Sequence, residues 1–400
     1  MKVCVVGLGY IGLPTTLMLA AHGVDVTGMD KNIKIVDSLC RGVVTFEEKG
    51  LDELFQSAVK QKVAFTDTLG NADVYIVAVS TPYDPVSKKV DAQYVIAAVK
   101  DVLAVCPEGA VLVIESTIPP GTIERSIVPL IRKNVHLVHA PERIIPGNMV
   151  YELEHNSRTI GADDRNVGET VKALYASFCS GEIVITDIKT AEMSKVVENT
   201  YRDINIAFAN ELVKICRDGG MDVYEIIRIA NLHPRVNILT PGPGVGGHCI
   251  SVDPWFLVGD YPMEAKLIRA AREINDSMPR FVLGRVLEIM KENGLSDFSR
   301  VGLYGLTYKE NVDDTRESPT LQLLKEIKAS GLVAPQVYDP FVKTTIADNQ
   351  HQTLQEFLDA CDCIVVMVGH QQLRENPAML DGKVVLDTRH IGGITNAQRM

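Results

Sequence analysis

The chain has 400 residues, 40 Lys plus Arg against 51 Asp plus Glu, and a formal charge of −11. That length calls for two or three domains, and the acidic balance argues against non-specific nucleic-acid binding. No apolar run reaches the ~18 residues that a membrane-spanning helix needs, while the 46% hydrophobic and 23% charged fractions are those of a globular protein.

The chain opens on the strand-like Lys2-Val3-Cys4-Val5-Val6, with no basic start and long apolar stretch of a signal peptide. A cytoplasmic location is expected, and there the eight scattered cysteines stay as free thiols. Cys361 and Cys363 are too close to form a metal-binding CxxC pair, and no metal is expected.

Short apolar runs predict buried strands at 3–6, 24–29, 74–79, 111–114, 135–138 and 183–185. Helical spacing fills the gaps at 11–21, 94–105 and 166–178. This alternation is the signature of a doubly wound parallel sheet over about residues 1–188.

Gly7-Leu8-Gly9-Tyr10-Ile11-Gly12 is a G-x-G-x-x-G between the first strand and the first helix. The second strand then ends in Asp30. Glycines there allow backbone N–H groups close to a pyrophosphate, and the carboxylate accepts from a ribose hydroxyl and repels a 2′-phosphate. The pattern predicts NAD rather than NADP, held by Gly7, Gly9, Tyr10, Ile11, Gly12 and Asp30. A bare glycine turn is the alternative. Ser80-Thr81-Pro82 and Glu115-Ser116-Thr117 end two further strands, where such sheets hold ligands, so Thr81 and Thr117 are candidate contacts.

Residues 190–218 lack Pro and Gly and predict one helix of about 43 Å at ~1.5 Å per residue. It is read either as a dimer spine or as a domain linker. Glu192, Lys195, Asn199 and Arg202 share one face of it. They form either a solvated stripe with a Glu192–Lys195 pair, or oxyanion stabilisers led by Lys195 and Asn199. Helices at 223–230, 264–274 and 280–291 complete a helical middle over 189–294.

Pro241-Gly242-Pro243-Gly244-Val245-Gly246-Gly247-His248-Cys249 suits neither helix nor strand. Its backbone brings a ligand close to Cys249, and a thiol in such a loop is a candidate nucleophile. A cysteine beside NAD adds to an aldehyde, gives up a second hydride and leaves a thioester for hydrolysis. Glu142, after the strand 135–138, is a candidate base for that water, or else an ordinary cap.

Strand–helix alternation resumes over 295–400, with strands at 301–304, 337–338, 363–368 and 384–386. This section echoes the first, but its glycine pattern is broken, so a second NAD site is not expected. Lys309, Arg316 and Arg389 suit an anionic nucleotide such as a diphosphate.

Gly7–Gly12, Ser80-Thr81-Pro82, Pro141-Glu142, Lys195/Asn199, Gly246-Gly247-His248-Cys249 and Asp314-Thr315-Arg316-Glu317-Ser318-Pro319 occur together in that order. The set resembles the UDP-sugar 6-dehydrogenase, or nucleotide-sugar dehydrogenase, family over essentially the whole chain. The resemblance implies two Rossmann-like domains joined by a helical middle with a long dimerisation helix, and four-electron oxidation of a UDP-sugar by NAD. By resemblance, Cys249 is the thioester nucleophile, Lys195 and Asn199 hold the oxyanion and an ordered water, and Glu142 is the acid/base of hydrolysis. Thr81 positions that water and Asp253 is a nearby aspartate. Arg316 touches the cofactor phosphate. Arg143, Gly246, Lys309 and Arg389 contact the UDP-sugar, and Arg235 reaches into a neighbouring subunit of a homodimer.

Val252 stands where UDP-glucose dehydrogenases carry a lysine. Val252-Asp253-Pro254-Trp255-Phe256 and His233-Pro234-Arg235-Val236-Asn237-Ile238-Leu239 are similar to the branch acting on N-acetylated sugars. UDP-N-acetylmannosamine is the implied substrate, with UDP-N-acetylglucosamine its rival. A two-electron hydroxyacid dehydrogenase needs neither Cys249 nor the third section. A non-catalytic NAD-binding scaffold leaves the cysteine loop unexplained.

Overall fold

The computed structural model describes residues 1–82, 84, 91–247, 249–395 and 397–400. The chain divides into two compact units, Met1–Glu198 and Asn199–Met400. Among the described residues no helix is long and apolar enough to cross a membrane, and no cluster of side chains suits a metal ion.

The first unit is built on an eight-stranded sheet: β1 (Lys2–Val6), β2 (Asp25–Met29), β3 (Ala64–Thr66), β4 (Val74–Val77), β5 (Ala110–Ile114), β6 (Val135–His139), β7 (Arg158–Ala162) and β8 (Ile183–Thr186). The spatial order is β3-β2-β1-β4-β5-β6-β7-β8. Strands β4, β5 and β7 are buried along their whole length, as expected of strands covered on both faces. The order reverses between β1 and β4, which opens a ligand crevice at their carboxyl ends. All pairs are parallel except β6 with β7.

The second unit carries a six-stranded sheet of the same plan: β9 (Val301–Tyr304), β10 (Gln336–Tyr338), β11 (Gln350–His351), β12 (Cys363–Val366), β13 (Val384–Asp387) and β14 (Gln398–Arg399). Its order, β11-β10-β9-β12-β13-β14, repeats that of the first six strands of the first sheet. Both units are Rossmann-like, as the sequence echo predicts.

The repeat extends to detail. Gly7 (φ +96°) donates its N–H to Met29 O at 2.8 Å, and Leu8 donates to the Asp30 carboxylate at 2.8 Å. Gly305 (φ +98°) donates to Tyr338 O at 2.8 Å, and Leu306 donates to Asp339 at 2.6 Å. The fates of the two carboxylates differ. Asp30 is half-buried, whereas Asp339 is sealed and pairs with the His370 Nε2 at 3.2 Å.

The long helix spans Ile188–Asp218, 31 residues. Several elements differ from the sequence expectation. Strands at 74–79 and 363–368 stop at Val77 and Val366, and the helix at 166–178 stops at Tyr175. The helices expected at 264–274 and 280–291 run Lys266–Asp276 and Met278–Glu292. Pro279 does not delay the latter because it sits in its first turn, where its missing N–H has no partner to lose.

Candidate active site

The glycine loop fits a dinucleotide. A Cβ on Gly7 would stand 2.8 Å from Ala78 O, and one on Gly12 would overlap Gly7 O, so the turn excludes side chains. At Gly9 the space beyond the backbone is open, as close approach of a pyrophosphate requires. Asp30 uses one oxygen for Leu8 N–H and the other for Asn32 N–H. A carboxylate oxygen has two lone pairs, which leaves capacity for ribose hydroxyls. Tyr10 and Ile11 line the same turn, half-buried.

At neighbouring strand ends, Thr81 is buried and Thr117 half-buried. Ser116 donates to Val79 O at 2.7 Å, which ties the segment after β5 to the one after β4.

The helix Ile188–Asp218 presents Glu192, Lys195 and Asn199 at 0%, 6% and 7% exposure. This rejects the solvated-stripe alternative for those three; only Arg202 is exposed. Nor is Glu192 the partner of Lys195. Its carboxylate accepts the backbone N–H groups of Gly121 and Ile123. Desolvation raises its pKa, while those N–H groups oppose the rise.

In the second unit the Asn199 amide donates to Asp253 Oδ2 at 2.6 Å. Asp253 is buried and opens the helix Asp253–Asp260. The Cys249 carbonyl accepts from Asp253 N–H at 2.8 Å, so this helix start holds the exposed Cys249. His248 lies outside the described residues.

The rest of the cysteine loop is fixed against the segment 308–319. Gly247 donates to Arg316 O at 2.9 Å. A Cβ on Gly246 would come within 2.5 Å of Glu317 O and 2.7 Å of Tyr308 Cβ, so only glycine fits. The Arg389 guanidinium lies against Gly242. Its pKa is lowered by burial, which marks a cation held in a poorly hydrated place.

Arg316 is paired with Asp314 through Nε at 2.9 Å and the terminal nitrogen at 2.6 Å. Lys309 is half-buried, and its carbonyl accepts from the Thr307 hydroxyl at 2.8 Å. Arg235 is exposed in the loop after the helix Val223–Ala230.

In the first unit, Glu142 is 6% exposed after β6, and one of its oxygens accepts Arg143 N–H at 2.6 Å. The Arg143 side chain is occupied by Ser157 O at 2.8 Å, Thr159 Oγ1 at 2.8 Å and Glu198 at 2.7 Å. The other oxygen of Glu142 meets Arg158, a residue that sequence reasoning missed. Arg158 begins the short strand β7, whose Arg-Thr-Ile-Gly-Ala composition carries no clear periodicity. A buried arginine is unusual enough that the strand itself, once recognised, is the signal.

Three family models match the chain, all described as UDP-glucose/GDP-mannose dehydrogenase family. They are the NAD binding domain over residues 1–179, the central domain over 189–277 and the UDP binding domain over 302–393. The chain is 45% identical to the UDP-N-acetyl-D-mannosamine dehydrogenase of Methanococcus maripaludis, over 98% of this chain and 93% of that protein. It is 40% identical to the NDP-N-acetyl-D-galactosaminuronic acid dehydrogenase of Ralstonia nicotianae, over 100% and 97%. A solved structure described as UDP-D-ManNAc dehydrogenase from Pyrococcus horikoshii superposes with a TM-score of 0.91 at 36% identity, covering 100% of this chain and 98% of that one.

Proposed function

This chain belongs to the UDP-glucose/GDP-mannose dehydrogenase family and is an NAD-dependent nucleotide-sugar dehydrogenase, and from that premise we propose that it oxidises C6 of UDP-N-acetyl-D-mannosamine to the carboxylate through Cys249. The observation that carries the cysteine mechanism is the loop 241–249. It is glycine-rich, locked against Tyr308 and Glu317, and ends in an exposed thiol backed by a buried helix start. Such a thiol has the access that a nucleophile needs.

When bound, NAD supplies the hydride acceptor. The C6 alcohol gives up a hydride and a proton and becomes an aldehyde. The Cys249 thiolate forms a C–S bond to the aldehyde carbon, and negative charge collects on its oxygen. Loss of a second hydride leaves a thioester. Water then adds to the thioester carbon, the C–S bond breaks, and the carboxylate and the thiolate separate. Overall one water and two NAD are consumed, and two NADH and three protons are released.

Lys195 and Asn199 stabilise the oxyanion, the role that buried donors one helical turn apart suit best. Glu142 takes the proton of the attacking water, and Thr81 orients that water. Asp253 fixes the Asn199 amide, an arrangement supported by their 2.6 Å hydrogen bond.

Gly7, Gly9, Tyr10, Ile11, Gly12, Asp30, Thr81, Thr117 and Arg316 bind the cofactor. Arg143, Gly246, Lys309 and Arg389 bind the substrate with Glu142, Lys195 and Asn199. The functional segments are 1–188 for NAD, 189–294 for the helical middle with the cysteine loop, and 295–400 for UDP-sugar. We read the protein as a cytoplasmic homodimer in which Arg235 serves the neighbouring site. Its exposure and the apolar stripe of the long helix support that reading.

The test is Cys249→Ala. Acid formation is expected to fall at least ~10³-fold, in line with loss of a covalent nucleophile, while one hydride transfer per sugar survives as aldehyde. Undiminished acid formation by this variant would refute the thioester route. UDP-N-acetylglucosamine and a galacto-configured N-acetylated sugar, suggested by the Ralstonia relative's name, are the competitors to compare.

A further inference from the structure

Three charged side chains meet inside the first unit. Arg158 contacts Glu142 with one terminal nitrogen and reaches Glu115 Oε1 with the other at 3.4 Å. Side-chain exposure is 4% for Arg158, 3% for Glu142 and 0% for Glu115. The Tyr175 hydroxyl donates to Glu115 Oε1 at 3.0 Å and the Thr15 hydroxyl reaches Oε2 at 3.3 Å. The guanidinium carbon lies 4.3 Å from the centre of the Tyr175 ring and 5.3 Å from that of Phe178. An arginine held between two carboxylates and two rings cannot swing away.

The topology explains the placement. β7 is the antiparallel strand, pairing His139 with Gly161 and Val138 with Ala162. The same register continued by three residues sets Arg158 opposite Glu142. A parallel strand would begin at the far end of the sheet. Reversing β7 delivers its first residue to the carboxyl edge, where the ligand crevice lies.

We propose that Arg158 is the positioning residue for the Glu142 carboxylate in thioester hydrolysis, and that Glu115, behind Arg158, tunes how strong a base Glu142 is. The proposal rests on the reading of Glu142 as the hydrolytic base.

Two carboxylates share one guanidinium, so the ionised trio carries net negative charge away from water, which is unfavourable. The proton that relieves it resides on Glu115, pushed up to about 7 by burial and then by Glu142, against the pull of Arg158 and its hydroxyl partners. The groups facing Glu115 are Thr15 from the first helix, Glu142 after β6, Arg158 from β7 and Tyr175 from the helix Arg165–Tyr175, with Cys179 near Arg158. With Glu115 protonated, the Arg158 charge is spent wholly on Glu142; with Glu115 ionised, that charge is shared between the two carboxylates and its hold on Glu142 is weaker. Hydrolysis therefore accelerates as pH rises through about 7.

Four variants are compared with wild type using UDP-N-acetylmannosamine and excess NAD, across pH 5.5 to about 9, a range that spans the ordinary histidine pKa. The readouts are kcat and the fraction of chain carrying a covalent sugar adduct on Cys249, by intact mass. Arg158→Met is expected to lose roughly 10²-fold in kcat, the low end of what a positioned base contributes, and to accumulate adduct. Arg158→Lys recovers at least about tenfold of that, since it restores a cation at the same place. Glu115→Gln keeps the low-pH rate and lacks the rise through about 7. Glu142→Gln is the reference and accumulates adduct throughout.

If Glu142→Gln accumulates adduct but Glu115→Gln keeps the wild-type profile and Arg158→Met shows no adduct, the proposal is overturned while the role of Glu142 stands. If Glu142→Gln itself shows no adduct, the reading of Glu142 fails and the proposal falls with it.

Discussion

His139 ends β6 and Glu115 directly follows the neighbouring β5, and the two make opposite demands on pH. His139 is wholly buried with its Nδ1 2.9 Å from Ile114 O, and burial pulls its pKa from 6.5 to about 4. A base whose pKa is lowered by folding gives stability that is complete above the unfolded value and lost as pH falls toward the folded one. The window for His139 is therefore below about 6.5. Glu115 is an acid whose pKa is raised from 4.5 to about 7 by burial. Its contribution is complete below about 4.5 and lost as pH rises through about 7. Glu115→Gln should therefore melt progressively higher relative to wild type between pH 5 and pH 8, the interval in which a raised carboxyl titrates. A melting difference that does not change with pH would contradict this assignment. The glycine loop and Asp30 are legible in sequence because their chemistry is local: a tight turn and one carboxylate. Cys249 is legible for the same reason. Arg158 is not, because its meaning comes from a partner 16 positions earlier that an antiparallel register brings opposite. The stripe of Glu192, Lys195 and Asn199 looked the same whether it faced water or the interior. Only burial distinguishes the two.

The long helix is the element most open to test. Tyr201, Phe208 and Ile215 are 65%, 49% and 53% exposed, and Val197 is 45% exposed. Three of them recur every seven residues and the fourth stands one turn earlier, so all lie on one face. An exposed apolar stripe of that spacing is the kind of surface that the proposed homodimer would bury. Phe208→Glu combined with Tyr201→Glu is expected to convert a dimer to monomer by sedimentation or light scattering at micromolar concentration. A double variant that keeps its dimeric mass would remove the helix from the interface. The helix was plain in sequence from its uninterrupted length without Pro or Gly. Its start two residues earlier than expected follows from Asp187, whose carboxylate accepts the Thr190 N–H at 2.9 Å and so caps the first turn. The strands β3, β11 and β14, of three, two and two residues, are too short to show a period of two. They form because a sheet edge already exists for them to join.

At the scale of the molecule, the two Rossmann-like units show one plan used twice with different outcomes. Asp30 keeps acceptor capacity near an open glycine turn, while the matching Asp339 is consumed by Leu306, Thr307, Phe341 and His370. His370 and those N–H groups hold the Asp339 pKa down although burial alone would raise it. That sealing sets Asp339 apart from Asp30, whose carboxylate stays half-buried beside its glycine turn. The repeat was visible in sequence as an echo of strand and acidic residue. The sealing was not, since His370 lies 31 residues beyond Asp339. The central claim is that this chain performs two oxidations on one carbon, and NADH formed per molecule of limiting UDP-N-acetylmannosamine tests it most directly. Two NADH per sugar is the predicted result. One NADH per sugar would contradict the account, leaving a simple alcohol dehydrogenase in which Cys249 is an ordinary thiol.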